Sequence, residues 1–199
     1  MTTTIRSHPA EALVLAKIPE PVIQRASAVK LMIFDVDGVL TDGSLLYSDQ
    51  GELIKRFHVL DGHGLKMLTN SGVRVALVTA RESNIVSIRA AELGIGDVFQ
   101  GVRNKAGVVA DLASRASVAM ENVGFMGDDV VDLHAMQRVG FAVTVPNAPP
   151  YVALGAHWTT IKQGGYGAVR ECCDLILAAQ GKLGQLLQPG RLPTGQTIQ

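Results

Sequence analysis

Cysteine is nearly absent from these 199 residues: only two occur, adjacent at Cys172 and Cys173. Neighbouring cysteines make neither a disulfide framework nor a zinc site, and the pair fits a reducing compartment, so a cytoplasmic protein is expected. Aromatic residues are scarce at 5%, and no charge of either sign is left over, 18 basic residues balancing 18 acidic ones. With no basic footprint, no nucleic-acid partner is expected, and a small anionic ligand must be drawn by local charge. Long apolar runs are missing too. Residues 1–28 carry Glu11 and Lys17 within their most apolar part, plus Pro9, Pro19 and Pro21, so no signal or membrane segment is read there and no membrane partner is expected.

What is present is an apolar stretch of strand length, Leu31-Met32-Ile33-Phe34, that delivers Asp35 and Asp37 into a turn at Gly38. Buried strands of α/β sheets present ligand sites at their carboxyl ends, which is where this pair would sit. Two anions about 4 Å apart repel by about 4 kcal/mol at an effective dielectric of about 20, and a cation or a shifted pKa must relieve that. The pattern recurs in Val123-Gly124-Phe125-Met126-Gly127-Asp128-Asp129-Val130-Val131-Asp132. Oxygen ligands without His or Cys suit a hard divalent ion such as Mg²⁺. On a helix Asp132 would share a face with Asp128 and Asp129. Helix capping accounts for one acid at such a place, not three.

Between the clusters, Val73–Val78 reads as a strand ending in Thr79, whose hydroxyl suits either a phosphate oxygen or an ordinary helix cap. Lys105 follows Asn104 at an apparent helix start. A cation there opposes the macrodipole, which makes sense if a phosphoryl oxygen and the Asp35 carboxylate lie nearby; a solvated surface lysine is the plainer alternative.

In this order, DVDGVLTD at 35–42, VTAR at 78–81, Lys105 and GDDVVD at 127–132 resemble the four motifs of the haloacid dehalogenase superfamily of phosphotransferases. The resemblance implies that Asp35 is the nucleophile forming an aspartyl-phosphate and Asp37 the acid and base. Thr79 and Lys105 would hold the phosphoryl group. The Asp35 carboxylate, the Asp37 backbone carbonyl and Asp128 would coordinate Mg²⁺, with Asp129 and Asp132 in support. The chemistry agrees: a carboxylate is a competent covalent nucleophile, and one neighbouring acid serves both half-reactions.

The spacing leaves no room for a cap domain after the first or second motif. Instead Ser44–Ser48 and Glu52–His58 flank a turn and read as a projecting hairpin. An isolated hairpin is marginal in water, so it should pair with its copies or fold back on its own core. The likeness extends to the hairpin, the Phe57–Leu65 stretch, Gln100–Lys105 and Gly164–Glu171, and it points to the capless sugar-phosphate phosphatases of the superfamily, which form ring-like homotetramers. It implies a sugar phosphate substrate, 3-deoxy-octulosonate 8-phosphate of lipopolysaccharide inner-core synthesis; the alternative is a nonulosonate 9-phosphate. His63, Lys66 and Arg81 are candidates for the substrate carboxylate, with Arg the better fork. Gly164, Gly165 and Arg170 are placed by the resemblance near a neighbouring active site. Non-enzymatic readings, a phospho-accepting receiver module or a scaffold, fit less well: a receiver needs no second acid at Asp37.

Alternating strands and helices (strand 31–35, hairpin 44–58, helix 61–71, strand 73–78, helix 83–93, strand 97–99, helix 104–115, strand 123–126, helix 129–137, strand 140–144) predict an α/β doubly wound parallel sheet. Asp61 is read as the cap of the 61–71 helix, with Leu60 and Leu65 as its staple. Asn147–Leu154 and Ala168–Ala179 are read as helices. The expected organisation is an N-terminal extension at 1–28, one phosphatase domain at 29–180 and a mobile tail at 181–199.

Overall fold

A computed structural model describes residues 8–187. Helices α1 (Pro9–Leu15) and α2 (Glu20–Ser27) come first, then the strand β1 (Leu31–Phe34). A hairpin of β2 (Leu46–Ser48) and β3 (Gly51–Ile54) leads to α3 (Val59–Asn70), β4 (Arg74–Val78), α4 (Asn84–Leu93), β5 (Asp97–Phe99) and α5 (Lys105–Arg115). The second half runs through β6 (Val123–Met126), α6 (Leu133–Met136), β7 (Phe141–Thr144), α7 (Pro150–Ala153), β8 (Trp158–Thr159), α8 (Ala168–Ala179) and α9 (Leu183–Leu186).

Six strands pair in parallel in the order β5-β4-β1-β6-β7-β8, while β2 and β3 form a separate antiparallel ribbon. This is the expected doubly wound sheet with a hairpin and, among the described residues, no cap domain. Strand β1 is fully buried because it is covered on both faces. Met32 and Phe34 pack with Leu65, Leu68 and Ile176 from α3 and α8, whereas Leu31 and Ile33 face Val109 and Leu112 of α5. Burying side chains of this size contributes about 1.5–3 kcal/mol each. The centre of the sheet is therefore firmly held, and its carboxyl end carries Asp35.

Several elements differ from the sequence expectations. Helix α3 starts at Val59 with His58 as N-cap, two residues before the expected start. Asp61 is consequently no cap for α3, and Leu60, half exposed, staples nothing. The buried Asp61 carboxylate instead accepts the N–H groups of Gly167 and Arg170, at the start of α8. The expected 129–137 helix divides into a 3-10 turn at Val130–Asp132 and the short α6, because Asp129 caps the turn through its own side chain. The 147–154 helix shrinks to α7, entered through Pro149. The edge strand β8 was not anticipated.

Ordered packing reaches beyond residues 29–180 on both sides. His8 and Glu11 form a capping box on α1, and the buried Glu11 carboxylate also accepts the Gly184 N–H from α9 at 2.9 Å. Both first helices lie against α8. The expectation of a mobile tail falls, from residue 188 on, outside the described residues. No helix among the described residues is long and apolar enough to cross a membrane.

Candidate active site

Strand β1 ends at Phe34, and its register with β4 and β6 brings three loops together at one end of the sheet: Asp35–Asp42, Thr79–Ser83 and Gly127–Asp132. Gly38 has a positive φ of +85°, and a Cβ there would overlap the Asp128 carboxylate, so only glycine lets the first and last loops close on each other. A second close approach comes from Gly164, where a Cβ would overlap the Gly38 carbonyl, while Gly165 N–H donates to the Val39 carbonyl at 3.0 Å. The glycine segment thus braces this chain's own Asp35–Asp42 loop.

Oxygen atoms of Asp35, Asp128 and Asp132 lie within 4.8 Å of one another. Lys105, buried at the first position of α5 behind the Asn104 cap, places Nζ 2.9 Å from Asp35 Oδ2 and 2.6 Å from Asp132 Oδ1. Burial works against the charge on this lysine, but the Asp35 and Asp132 carboxylates outweigh it and raise its pKa above the ordinary value. Asp132 Oδ2 accepts the backbone N–H groups of Asp128 and Asp129, which fixes the loop.

One ammonium among three carboxylates leaves the cluster short of positive charge. Burial, then the Asp132 charge, raises Asp35 to about 7, and burial, then the Asp35 and Asp132 charges, raises Asp128 to about 7. Asp35 Oδ1 is buried without any hydrogen-bond partner. An orphaned carboxylate oxygen facing a second carboxylate, in an all-oxygen set, fits a hard divalent cation.

Of the other candidates, Thr79 is buried at the end of β4, beside the β1 terminus, and its hydroxyl accepts the Arg81 N–H. Asp37 is partly exposed; its carboxylate is ion-paired with Lys55, and Arg81 Nε stands 3.8 Å away. Arg81 also hydrogen-bonds the Tyr47 hydroxyl of the hairpin. Asp129 turns its carboxylate to the Val130 N–H and lies outside the three-carboxylate group. His63 and Lys66 stand on α3, His63 exposed; among the described residues neither bonds to the Asp35 cluster. Arg170 pairs with Asp174, at 2.8 Å.

The sequence reading missed Lys55 and Glu52. Lys55, just beyond β3, is 2% exposed at its side chain and lies 2.9 Å from Glu52 Oε1 as well as against Asp37. The available signal was slight, a Glu52 in β3 and a Lys55 one residue past its end. Only the folded hairpin brings them to Asp37.

A strand end bearing Asp35, with a charged lysine, a hydroxyl and a cation-ready acid cluster on a doubly wound sheet, defines a phosphoryl-transfer enzyme. The model of haloacid dehalogenase-like hydrolases matches residues 78–169, and the chain belongs to that family. It is 44% identical over 162 residues to the 3-deoxy-D-manno-octulosonate 8-phosphate phosphatase KdsC of Escherichia coli K12, covering 81% of this chain and 86% of that protein. The structure is similar to that of the Moraxella catarrhalis 3-deoxy-D-manno-octulosonate 8-phosphate phosphatase in complex with magnesium, phosphate and KDO. The TM-score is 0.81 at 39% identity, covering 83% of this chain and 95% of that one. It is also similar to the cobalt-bound Haemophilus influenzae phosphatase, with a TM-score of 0.79 at 44% identity over 80% of this chain and 94% of that one.

Proposed function

We propose that this chain is a Mg²⁺-dependent phosphatase that hydrolyses 3-deoxy-D-manno-octulosonate 8-phosphate to the free sugar acid and phosphate, in lipopolysaccharide inner-core precursor synthesis in the cytoplasm. The observation that carries the reading is the buried Lys105 bridging Asp35 and Asp132 beside Asp128, on a chain 44% identical to an enzyme named for that reaction.

Asp35 attacks phosphorus, the phosphorus–oxygen ester bond breaks, and the departing sugar oxygen takes its proton from the Asp37 carboxyl group. In the second half-reaction the Asp37 carboxylate takes a proton from water, whose oxygen attacks the aspartyl-phosphate. The bond to Asp35 then breaks, phosphate leaves, and the carboxylate of Asp35 and the acid form of Asp37 are restored. Lys105 and the Thr79 hydroxyl hold phosphoryl oxygens through transfer, a reaction governed mainly by positioning and electrostatics. Asp35, the Asp37 carbonyl and Asp128 would hold Mg²⁺, which supplies positive charge against the phosphoryl oxygens and lets Asp35 stay ionised. Asp132 supports the set by orienting Lys105 and the loop, and Asp129 by capping the following turn. The sugar carboxylate is assigned to Arg81, His63 and Lys66.

The homotetramer belongs to the same proposal. Leu45, Leu46, Leu53 and Ile54 of the hairpin are about half exposed, a surface that copies of the chain would cover. The test of the function is phosphate release with Mg²⁺ from 3-deoxy-D-manno-octulosonate 8-phosphate, a nonulosonate 9-phosphate and unrelated sugar phosphates. Preference for the octulosonate is expected; preference for the nonulosonate would reassign the substrate, and release from none would end the phosphatase reading.

A further inference from the structure

The ammonium of Lys55 is an expensive object to bury. Lysine is almost never fully enclosed unless paired, yet this one is 2% exposed at the side chain, further than its position next to a surface hairpin requires. Its two partners explain how it survives there: the Asp37 carboxylate on one side and Glu52 on the other, 2.9 Å away. Burial works against the charge, but the hydrogen bond to Asp37 and the ion pair with Glu52 more than offset it. Glu52 is itself tied down, accepting the Ser83 hydroxyl and lying 3.6 Å from Arg81. A charge relay of fixed geometry therefore runs from the loop after β4, through the hairpin, to Asp37.

Asp37 is a side chain with freedom to lose. It follows Asp35 by two residues at a partly exposed mouth, and among the described residues its carboxylate has charged neighbours only in Lys55 and Arg81. An acid that must meet a departing oxygen gains rate from being held at one place, because misplacement of a catalytic group by about 1 Å can cost about a hundredfold.

We propose that Lys55 is a positioning residue, carried by the hairpin, that holds the Asp37 carboxyl group at the leaving-group oxygen, with Glu52 as its anchor. The inference rests on the phosphatase reading and adds to it that hairpin and acid act as one unit. When phosphorus–oxygen cleavage expels a sugar alkoxide, Asp37 must deliver the proton and its aim matters. When cleavage expels p-nitrophenolate, no proton is needed and the aim matters little. Loss of Lys55 should therefore discriminate between the two leaving groups, whereas loss of a merely structural tie should slow both alike.

The experiment is single-turnover release of the leaving group, enzyme in excess with Mg²⁺, from 3-deoxy-D-manno-octulosonate 8-phosphate and from p-nitrophenyl phosphate. Such a design reports only phosphoryl transfer to Asp35 and leaves out the water step. For Lys55→Met the ratio of sugar-ester to aryl-ester rate is expected to fall by about 30-fold, less than the hundredfold or more a general acid supplies because Asp37 itself is still present. Glu52→Gln should lower the ratio in the same direction by less, and Lys55→Arg should recover part of it. Equal slowing of both esters, or an unchanged ratio in a folded Lys55→Met protein, overturns the proposal. If Lys55→Met does not fold by circular dichroism, Glu52→Gln decides, and a wild-type ratio there overturns it. Wild-type protein that releases neither leaving group sinks the phosphatase reading itself, before any variant is compared.

Discussion

At the scale of single residues, the site is a problem in charge placement. Asp35, Asp128 and Asp132 crowd together with one lysine, and the burden falls on protonation when no cation is present. Replacing Asp35 by Asn removes the proposed nucleophile and also one buried carboxyl group. Turnover should fall by about a thousandfold or more while the melting temperature holds or rises, measured by phosphate release beside a thermal melt. The carboxyl groups of Asp35 and Asp128 titrate near 7 in the folded protein against 3.8 for an ordinary aspartate. Folded pKa values above unfolded ones favour the native state below about 4, and that contribution is lost as pH rises to about 7. Chelator-treated protein should thus melt at lower temperature at pH 8 than at pH 5. Added Mg²⁺ should raise the melting temperature more at pH 8, with proton release detectable in calorimetry near neutrality. An Mg²⁺ effect independent of pH would contradict this account.

Among the elements, the loops matter more than the helices they join. The Gly164–Gly165 segment presses on the Gly38–Asp42 turn so closely that Gly164→Ala must displace one of them. A cost of about 2–3 kcal/mol in denaturant unfolding is expected, together with a drop in turnover because Gly38 also faces Asp128. Strands ending in acids were readable from sequence because a buried strand needs only a run of apolar residues and a glycine turn to announce itself. The same holds for α8, whose bounds were read without error. What sequence could not disclose depends on partners far along the chain. Asp61 looks like a local cap until Gly167 and Arg170 arrive to take its oxygens. Strand β8 is two residues on an edge, too short for any periodicity. Lys55 reads as one more hairpin charge until the ribbon folds over Asp37.

For the whole molecule, α1 and α9, the outermost of the described helices, are part of the same packing. Glu11 accepts N–H groups from His8 and from Gly184, so it fastens α1 to α9. Glu11→Ala leaves buried donors unmet and should cost about 1–3 kcal/mol without altering the kinetics of the distant site; thermal melts beside steady-state assays would check both halves. Light scattering on the eluting protein should give a mass near four chains, and a monomer at micromolar concentration would remove the ring arrangement. Placement of β1 at the middle of the sheet has one more effect, on the order of assembly. Leu31 pairs with Arg74 and with Val123, so the Asp35 strand is flanked only after both distant partners have come home. Closing such long loops is slow, and parallel pairing slows it further. A ribosome-bound chain that has emerged only as far as Lys105 therefore carries Asp35, the proposed nucleophile, without the Asp128 proposed to hold a metal beside it, so on the proposed mechanism catalytic competence arrives late in synthesis, once β6 is free to dock.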